Sequence, residues 1–349
     1  MKKKIVLTGG GTAGHITPHL ALLPGLKKDF DCYYIGSKNS MEQKMMSDLM
    51  PFYSVETAKL KRRLTFSNLL IPFKLLRGIC QAKKILKEIK PNIVFSKGGF
   101  VAVPVVIASH MLKIPVITHE SDYSLGLANK LIKNKCKYVC TSFDITAQNL
   151  KNGIFTGSPV RKSIYHGNKN NIISKYDFDK NKPNLLFIGG SLGSQNINNC
   201  VYSCLDELTK KYNVLQIVGK NNINSTKKAK NYAQIEFLDK IEDAFDYADI
   251  VITRGGANVL FELLAIKKPM LIIPLGTSES RGDQILNANY FKDKGYANVL
   301  LEDDLTPKSL LKNIEKTILD SNKLKQNMSA KSTNGTETIL ELIRKNAKA

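Results

Sequence analysis

Residues 8–19 read TGGGTAGHITPH, and the fold follows from them. The apolar run Ile5-Val6-Leu7 precedes this stretch and a helix-like pattern follows it. Strand, glycine turn, helix is how a chain presents bare backbone N–H groups to an anion. Gly9-Gly10-Gly11-Thr12-Ala13-Gly14 satisfies the GxGxxG spacing of a dinucleotide site, weak evidence when it stands alone. Such a site wants an acid at the end of the second strand to hold the ribose. Here that strand, 32–35, runs into Gly36-Ser37-Lys38, so nicotinamide binding loses ground. No glycine is followed by Lys-Ser or Lys-Thr, which removes a Walker A loop. The loop is expected to approach an anion or a sugar. His15 sits where the helix should begin, and the positive end of the helix dipole disfavours a protonated imidazole. A neutral ring is what a general base requires; a capping or packing histidine is the bland alternative.

Outward from this loop, short apolar runs alternate with helical patterns. Residues 5–7, 32–35, 93–95, 116–118 and 138–141 read as strands of a first half. Residues 185–188, 214–218, 235–238, 250–253 and 270–273 read as strands of a second. This βαβ alternation predicts α/β parallel sheets with helices on both faces. The opening motif recurs, since PNLLFIGGSLGSQNIN starts the second half as KKKIVLTGGGTAGH starts the first. The polar stretch 169–183 lies between them. Two doubly wound domains facing across a cleft are expected, with the boundary between Ser158 and Pro183. A turn-like break at 332–335 precedes a basic helix, 336–348, which is expected to pack back on the first domain. Pro24 falls inside the first helix and leaves its length open.

The 349 residues exceed what one core usually supports. No apolar run approaches the roughly 20 residues of a membrane span. The N-terminal MKKKIVL is too short for the apolar region of a signal peptide and reads as a first strand, which predicts a cytoplasmic protein. The six cysteines form no CxxC pair and are expected to be free thiols. The net charge of +22 favours an anionic partner: nucleic acid, an anionic membrane or a phosphorylated substrate. A lysine-rich composition without functional meaning would give the same figure. Residues 59–90 concentrate the charge, with ten Lys and Arg against Glu88 alone, interleaved with Leu, Ile and Phe. Such a segment fits a cationic amphipathic surface on an anionic bilayer, or an ordinary helix with its stripe in the core.

Two further glycine turns follow strands. Gly189-Gly190-Ser191-Leu192-Gly193-Ser194 offers amides and two hydroxyls to a phosphate, or merely lets helix and strand pack closely. Arg254-Gly255-Gly256-Ala257-Asn258 leads into Val259-Leu260-Phe261-Glu262. Glu262 could accept ribose hydroxyls from a nucleotide whose phosphates sit at the helix start, or simply complement the dipole. Ser280-Arg281-Gly282-Asp283-Gln284 follows a later strand and fits sugar hydroxyls; a plain solvent loop would read the same. No acidic pair stands in a metal-binding context, and Asp303-Asp304 reads as a loop far from every glycine turn. No metal and no cofactor are expected. A departing diphosphate would be stabilised by helix dipoles and amides.

Taken together, TGGGTAGH, SKGGFVAVP, HESDYSLGLANK, GSPVR, FIGGSLGSQNIN, RGGANVLFELLAIKKPMLIIPL and RGDQILNA resemble the MurG family, in order and over nearly the whole chain. These transferases move N-acetylglucosamine from UDP-GlcNAc onto lipid-linked N-acetylmuramyl-pentapeptide (lipid I). The resemblance implies the two-domain, Rossmann-like GT-B glycosyltransferase fold. Residues 1–160 with the helix 336–349 would be the acceptor domain and 161–335 the UDP-GlcNAc domain. His15 would be the catalytic base, with Thr12, Ala13 and Gly14 at the sugar and diphosphate. Glu120, Asp122 and Asn129 would line the substrate, Arg161 the nucleotide and Ser191 a phosphate. Leu238 would meet uracil through its backbone. Ala257, Asn258, Val259, Leu260, Phe261 and Glu262 would form the donor turn, with Glu262 on the ribose. Asp283 and Gln284 would read the donor sugar. Asp122 departs from the family's HEQN pattern and puts that sugar contact in question.

The resemblance also implies an inverting displacement and a peripheral enzyme on the cytoplasmic face of the membrane, its partners being UDP-GlcNAc, lipid I and an anionic surface. A diacylglycerol glycosyltransferase shares the domain plan and is the nearest alternative. A sugar-nucleotide epimerase would leave a lipid-facing surface unused. A nucleic-acid-binding protein would explain the charge but not three glycine turns, and no nucleic-acid motif is present.

Overall fold

A computed structural model describes residues 2–57, 71–190, 193–276, 282–329 and 334–348. Ser191, positions 59–70 of the basic segment, Ser280, Arg281 and Ser332 lie outside the described residues. The chain divides into two compact units, Met1–Arg161 with Asn334–Ala349, and Lys162–Thr333. Arg161 therefore closes the first unit.

In the first unit seven parallel strands run β1 (Lys3–Thr8), β2 (Phe30–Gly36), β3 (Phe52–Ser54), β4 (Ile93–Ser96), β5 (Val116–Glu120), β6 (Tyr138–Thr141) and β7 (Gly153–Phe155). Their order across the sheet is β3-β2-β1-β4-β5-β6-β7. The winding reverses between β1 and β4, and that switch point is where open α/β sheets bind ligands. The second unit repeats the plan with β8 (Asn184–Ile188), β9 (Asn213–Ile217), β10 (Tyr232–Ile235), β11 (Ile250–Thr253), β12 (Met270–Ile272) and β13 (Asn298–Val299). Its order is β10-β9-β8-β11-β12-β13, which puts the reversal between β8 and β11.

The central strands are apolar on both faces because helices cover both sides. Val6, Ile93, Val94 and Phe95 are fully buried, as are Leu185, Leu186, Val251 and Ile252. The Thr336–Asn346 helix packs Ile339, Leu340 and Ile343 into the first unit's core beside Ile5 and Leu22. The Thr17–Asp29 helix continues through Pro24 and starts two residues after His15, which instead ends a 3-10 turn, Ala13–His15.

The structure departs from the sequence pattern in one strand and adds detail elsewhere. The apolar run 235–238 is not a strand: β10 is Tyr232–Ile235, registered on Val214–Ile217, and Phe237 beyond it is exposed. The edge strands β3, β7 and β13 escape a pattern reading because two or three residues carry no period. The described part of the basic segment combines the two readings. The Ile71–Ile89 helix turns Ala82, Leu86 and Ile89 inward, yet leaves Phe73 71% and Leu76 61% exposed. Lys74 and Lys84 are exposed with them, and Arg77 pairs with Glu56 at 3.1 Å.

Candidate active site

Each switch point collects the chemistry that the motifs foreshadow. In the first unit the loops after β1, β4 and β5 meet. His15 lies on the β1 loop, half-buried, with Nδ1 2.9 Å from Thr12 Oγ1 and its backbone N–H donated to Thr12 O at 3.1 Å. Thr12 and Gly14 are exposed, and Ala13 forms the backbone of the 3-10 turn between them. Gly99, on the β4 loop, has φ +75°, and a Cβ there would lie 2.5 Å from Gly10 O and 3.4 Å from His15 Nδ1. Only glycine permits this crossing of the two loops beside the imidazole.

Lys97 belongs to the SKGGFVAVP motif. In the fold Lys97 is 2% exposed, its Nζ 2.6 Å from His119 Nδ1 and donating to Ser121 Oγ at 2.7 Å. Burial lowers the ammonium to about 8, with the carboxylates of Glu120 and Asp122 opposing the shift. The same burial, then the Lys97 charge, hold His119 well below its ordinary value, so the ring accepts from Lys97 through Nδ1 and donates through Nε2 to Gly157 O at 3.1 Å. His19 is likewise buried and lowered to about 3, by burial first and Lys97 second. These two histidines are buried, neutral parts of the scaffold, whereas His15 lies half-buried on the β1 loop.

The β5 loop is built around two of the residues expected at the substrate, Glu120 and Asn129. Glu120 is buried, and its carboxylate accepts from Asp122 N–H at 3.1 Å, Gly126 N–H at 2.8 Å and Asn129 Nδ2 at 2.9 Å. Asn129 is 3% exposed and also accepts from Thr118 Oγ1 at 3.0 Å. These bonds shape the 121–126 loop, and both residues brace it. Asp122, half-buried on that loop, faces a more open setting.

In the second unit a pocket of about 440 Å³ opens at the β8–β11 switch point. The glycine turn after β8 supplies Gly189, Gly190, Gly193 and Ser194; the turn after β11 supplies Arg254, Gly256 and Val259; Leu275 and Gln284 complete one side. The Ala257–Ala265 helix starts here without a side-chain cap, which leaves its positive end toward any bound anion. Gln284 Oε1 accepts from Gly255 N–H at 3.1 Å and Leu275 N–H at 3.0 Å, while its Nε2 makes no hydrogen bond among the described residues. Asp283 opens the Asp283–Asp293 helix just ahead of it, after Gly282 in a left-handed conformation.

The donor-side residues divide between the core, the helix start and the pocket wall. Leu260 and Phe261 are 0% and 2% exposed, with the Phe261 ring edge-on to Phe291, so their side chains belong to the core. Glu262, 8% exposed, Ala257 and Asn258 share the helix start but do not line the pocket. Leu238 is half-buried in the loop after β10, also off the pocket wall. Ser194, expected to offer its hydroxyl to phosphate, caps the Gln195–Ser203 helix and accepts from Arg254 Nη2 at 2.6 Å.

Arg254 pairs with a residue from a distant loop. Glu302, next to the Asp303-Asp304 pair that had looked remote, meets Arg254 Nη2 at 2.5 Å, both side chains 9% exposed. Glu302 also accepts from Asn196 Nδ2 and Gly276 N–H, each at 2.9 Å. Burial pushes its carboxyl up, but hydrogen bonds from Arg254, Gly276 and Asn196 outweigh burial and hold it below the ordinary carboxylate range. This pair ties both glycine turns and the loop after β12 into one frame.

Comparison with known proteins agrees with this geometry. Residues 5–141 match the glycosyltransferase family 28 N-terminal domain and residues 184–343 its C-terminal domain. The UDP-N-acetylglucosamine--N-acetylmuramyl-(pentapeptide) pyrophosphoryl-undecaprenol N-acetylglucosamine transferase of Clostridium botulinum strain 657 is 48% identical, over 99% of this chain and 100% of its own. The transferase of the same name from Clostridium tetani is 45% identical, over 99% and 98%. Among solved structures, Acinetobacter baumannii MurG shares the fold with a TM-score of 0.79 at 24% identity, covering 98% of this chain and 99% of that one. The two parallel-sheet units are thus the Rossmann-like halves of a GT-B glycosyltransferase fold, and the chain belongs to the MurG family.

Proposed function

We propose that the chain transfers N-acetylglucosamine from UDP-GlcNAc to the C4 hydroxyl of undecaprenyl-diphospho-N-acetylmuramyl-pentapeptide, the step that converts lipid I to lipid II in peptidoglycan synthesis. The observation that carries this reading is the match, over almost every residue, to transferases of that name. The site chemistry supports it. The hydroxyl oxygen attacks the anomeric carbon, its proton passes to His15, and the bond from that carbon to the diphosphate breaks as the new glycosidic bond forms, with inversion. In the tautomer that donates Nδ1–H to Thr12 Oγ1, 2.9 Å away, the imidazole carries its lone pair on Nε2, where a base needs it. UDP departs against the uncapped start of the Ala257–Ala265 helix, whose dipole and amides stabilise the diphosphate. Glu262 holds the ribose, Gln284 the transferred sugar, and Arg161 and Leu238 complete the nucleotide site. Glu262→Ala is expected to weaken UDP-GlcNAc about tenfold, the cost of a lost charge-assisted hydrogen bond. Calorimetric titration checks this, and an unchanged affinity removes Glu262 from the ribose.

The acceptor is a lipid, and we propose that the enzyme works as a peripheral protein on the cytoplasmic face of the membrane. Among the described residues no helix is long and apolar enough to cross a bilayer. Exposed Phe73 and Leu76 beside Lys74 and Lys84 fit reversible insertion into an anionic surface. Phe73→Ser and Leu76→Ser are each expected to lower sedimentation with phosphatidylglycerol vesicles about tenfold, the worth of one buried apolar side chain. Equal sedimentation of wild type and both variants contradicts this surface.

A further inference from the structure

The glycine loop that carries His15 is held from beneath by a carboxylate that the reaction itself does not use. Glu42, on the short Met41–Met46 helix after β2, is fully buried and forms no ion pair among the described residues. Its Oε1 accepts from the backbone N–H of Ser37 at 3.2 Å and from the Ser37 hydroxyl. Its Oε2 accepts from Gly11 N–H at 3.4 Å. A Cβ on Gly10 would lie 2.5 Å from the Glu42 carboxyl carbon, so the loop rests directly on this side chain. One residue earlier, Tyr34 Oη donates to Gly9 O at 2.7 Å, its ring stacked on Phe52. Three consecutive glycines are therefore gripped one by one, Gly9 by Tyr34, Gly10 by packing and Gly11 by Glu42. Free glycines explore more backbone conformations than any other residue, and His15 lies only four positions beyond Gly11.

We propose that Glu42 is a positioning residue for the transfer reaction: it clamps the glycine loop through Gly11, with Tyr34 at Gly9, and so fixes where the His15 imidazole stands. The hydrogen bonds from Ser37 and Gly11 outweigh the cost of burial and keep the carboxyl below its ordinary range, so the clamp is an anion at neutral pH. That anion takes the Gly11 amide that a substrate phosphate would otherwise use. The Gly11 amide therefore serves the placement of His15. The inference rests on His15 acting as the base.

The test is steady-state transfer from UDP-GlcNAc to the lipid-linked acceptor by Glu42→Gln, His15→Ala and the double variant, with thermal unfolding of each. The Gln amide turns an N–H toward donors that need an acceptor, which releases the loop. Misplacing a catalytic group by about 1 Å costs up to about 100-fold, so kcat is expected to fall about 10- to 100-fold in Glu42→Gln. The KM for UDP-GlcNAc should stay within about twofold, because the donor pocket lies in the other unit. In the His15→Ala background the same substitution should change the residual rate less than about twofold, as expected of groups acting through one another. Tyr34→Phe keeps the ring, removes only the bond to Gly9 O, and should lower kcat in the same direction if Glu42→Gln does not fold. Wild-type kcat in Glu42→Gln, or in Tyr34→Phe where Glu42→Gln does not fold, overturns the proposal. An equal further loss in the His15→Ala background also overturns it. Wild-type turnover by His15→Ala alone would instead refute the base assignment, whatever Glu42 does.

Discussion

His15→Ala is expected to lose about 10²- to 10⁴-fold in kcat, the usual contribution of a positioned general base, while binding UDP-GlcNAc as the wild type does. The split follows from where the groups sit. His15 belongs to the first unit, with its ring held by Thr12 and crossed by Gly99. Every residue lining the 440 Å³ pocket belongs to the second unit. Removing the imidazole therefore takes away the proton acceptor and leaves the donor pocket intact. Rapid-quench turnover and donor titration on the same preparation measure both halves. A variant with near-normal kcat would return His15 to a packing role. A variant with lost donor affinity would mean that His15 contacts the nucleotide sugar and not the acceptor proton.

Glu302→Ala is expected to destabilise the second unit by about 3–5 kcal/mol at neutral pH, the cost of leaving one partner of a buried ion pair uncompensated. Arg254 would keep its bonds to Ile273 O, Pro274 O and Ser194 Oγ but lose its only carboxylate among the described residues. Asn196 and Gly276 would lose their acceptor as well. The effect carries a pH signature. A carboxyl held low in the folded state contributes stability that is present above its unfolded value, about 4.3 for Glu, and is lost as pH falls through the folded value. The gap between wild type and variant should therefore be full near neutrality and shrink in acid. Urea unfolding at several pH values measures it. A loss under about 1 kcal/mol would show a pair no stronger than an exposed one, and a gap that widens in acid would have the wrong sign.

Much of the fold is legible in the sequence because a parallel sheet buries its strands on both faces. Ile93-Val94-Phe95 and Ile250-Val251-Ile252 can hardly be anything else. Where a strand has only two or three residues at an edge, as in β3 and β13, no pattern marks it. The shift of β10 has a different cause, because pairing with β9 sets its register while Phe237 and Leu238 remain apolar for reasons outside the sheet. The glycine turns were legible too, since close crossings such as Gly99 over Gly10 admit no side chain. Glu42 with Gly11 and Glu302 with Arg254 were not, because each pair joins separate loops at the ends of different strands. A motif also does not say which way its residues face. Asn129 and Leu260 lie inside family patterns, yet one braces a loop and the other fills the core.

The central claim is the identity of the two substrates, and one transfer measurement tests it directly. UDP-GlcNAc labelled in the sugar is supplied with undecaprenyl-diphospho-N-acetylmuramyl-pentapeptide in anionic vesicles, with diacylglycerol as competing acceptor and UDP-glucose as competing donor. The label is expected on the muramyl lipid alone, in a β-linked disaccharide joined at O4, undiminished by either competitor. Label on diacylglycerol, equal use of UDP-glucose, or an unlabelled muramyl lipid would contradict the account.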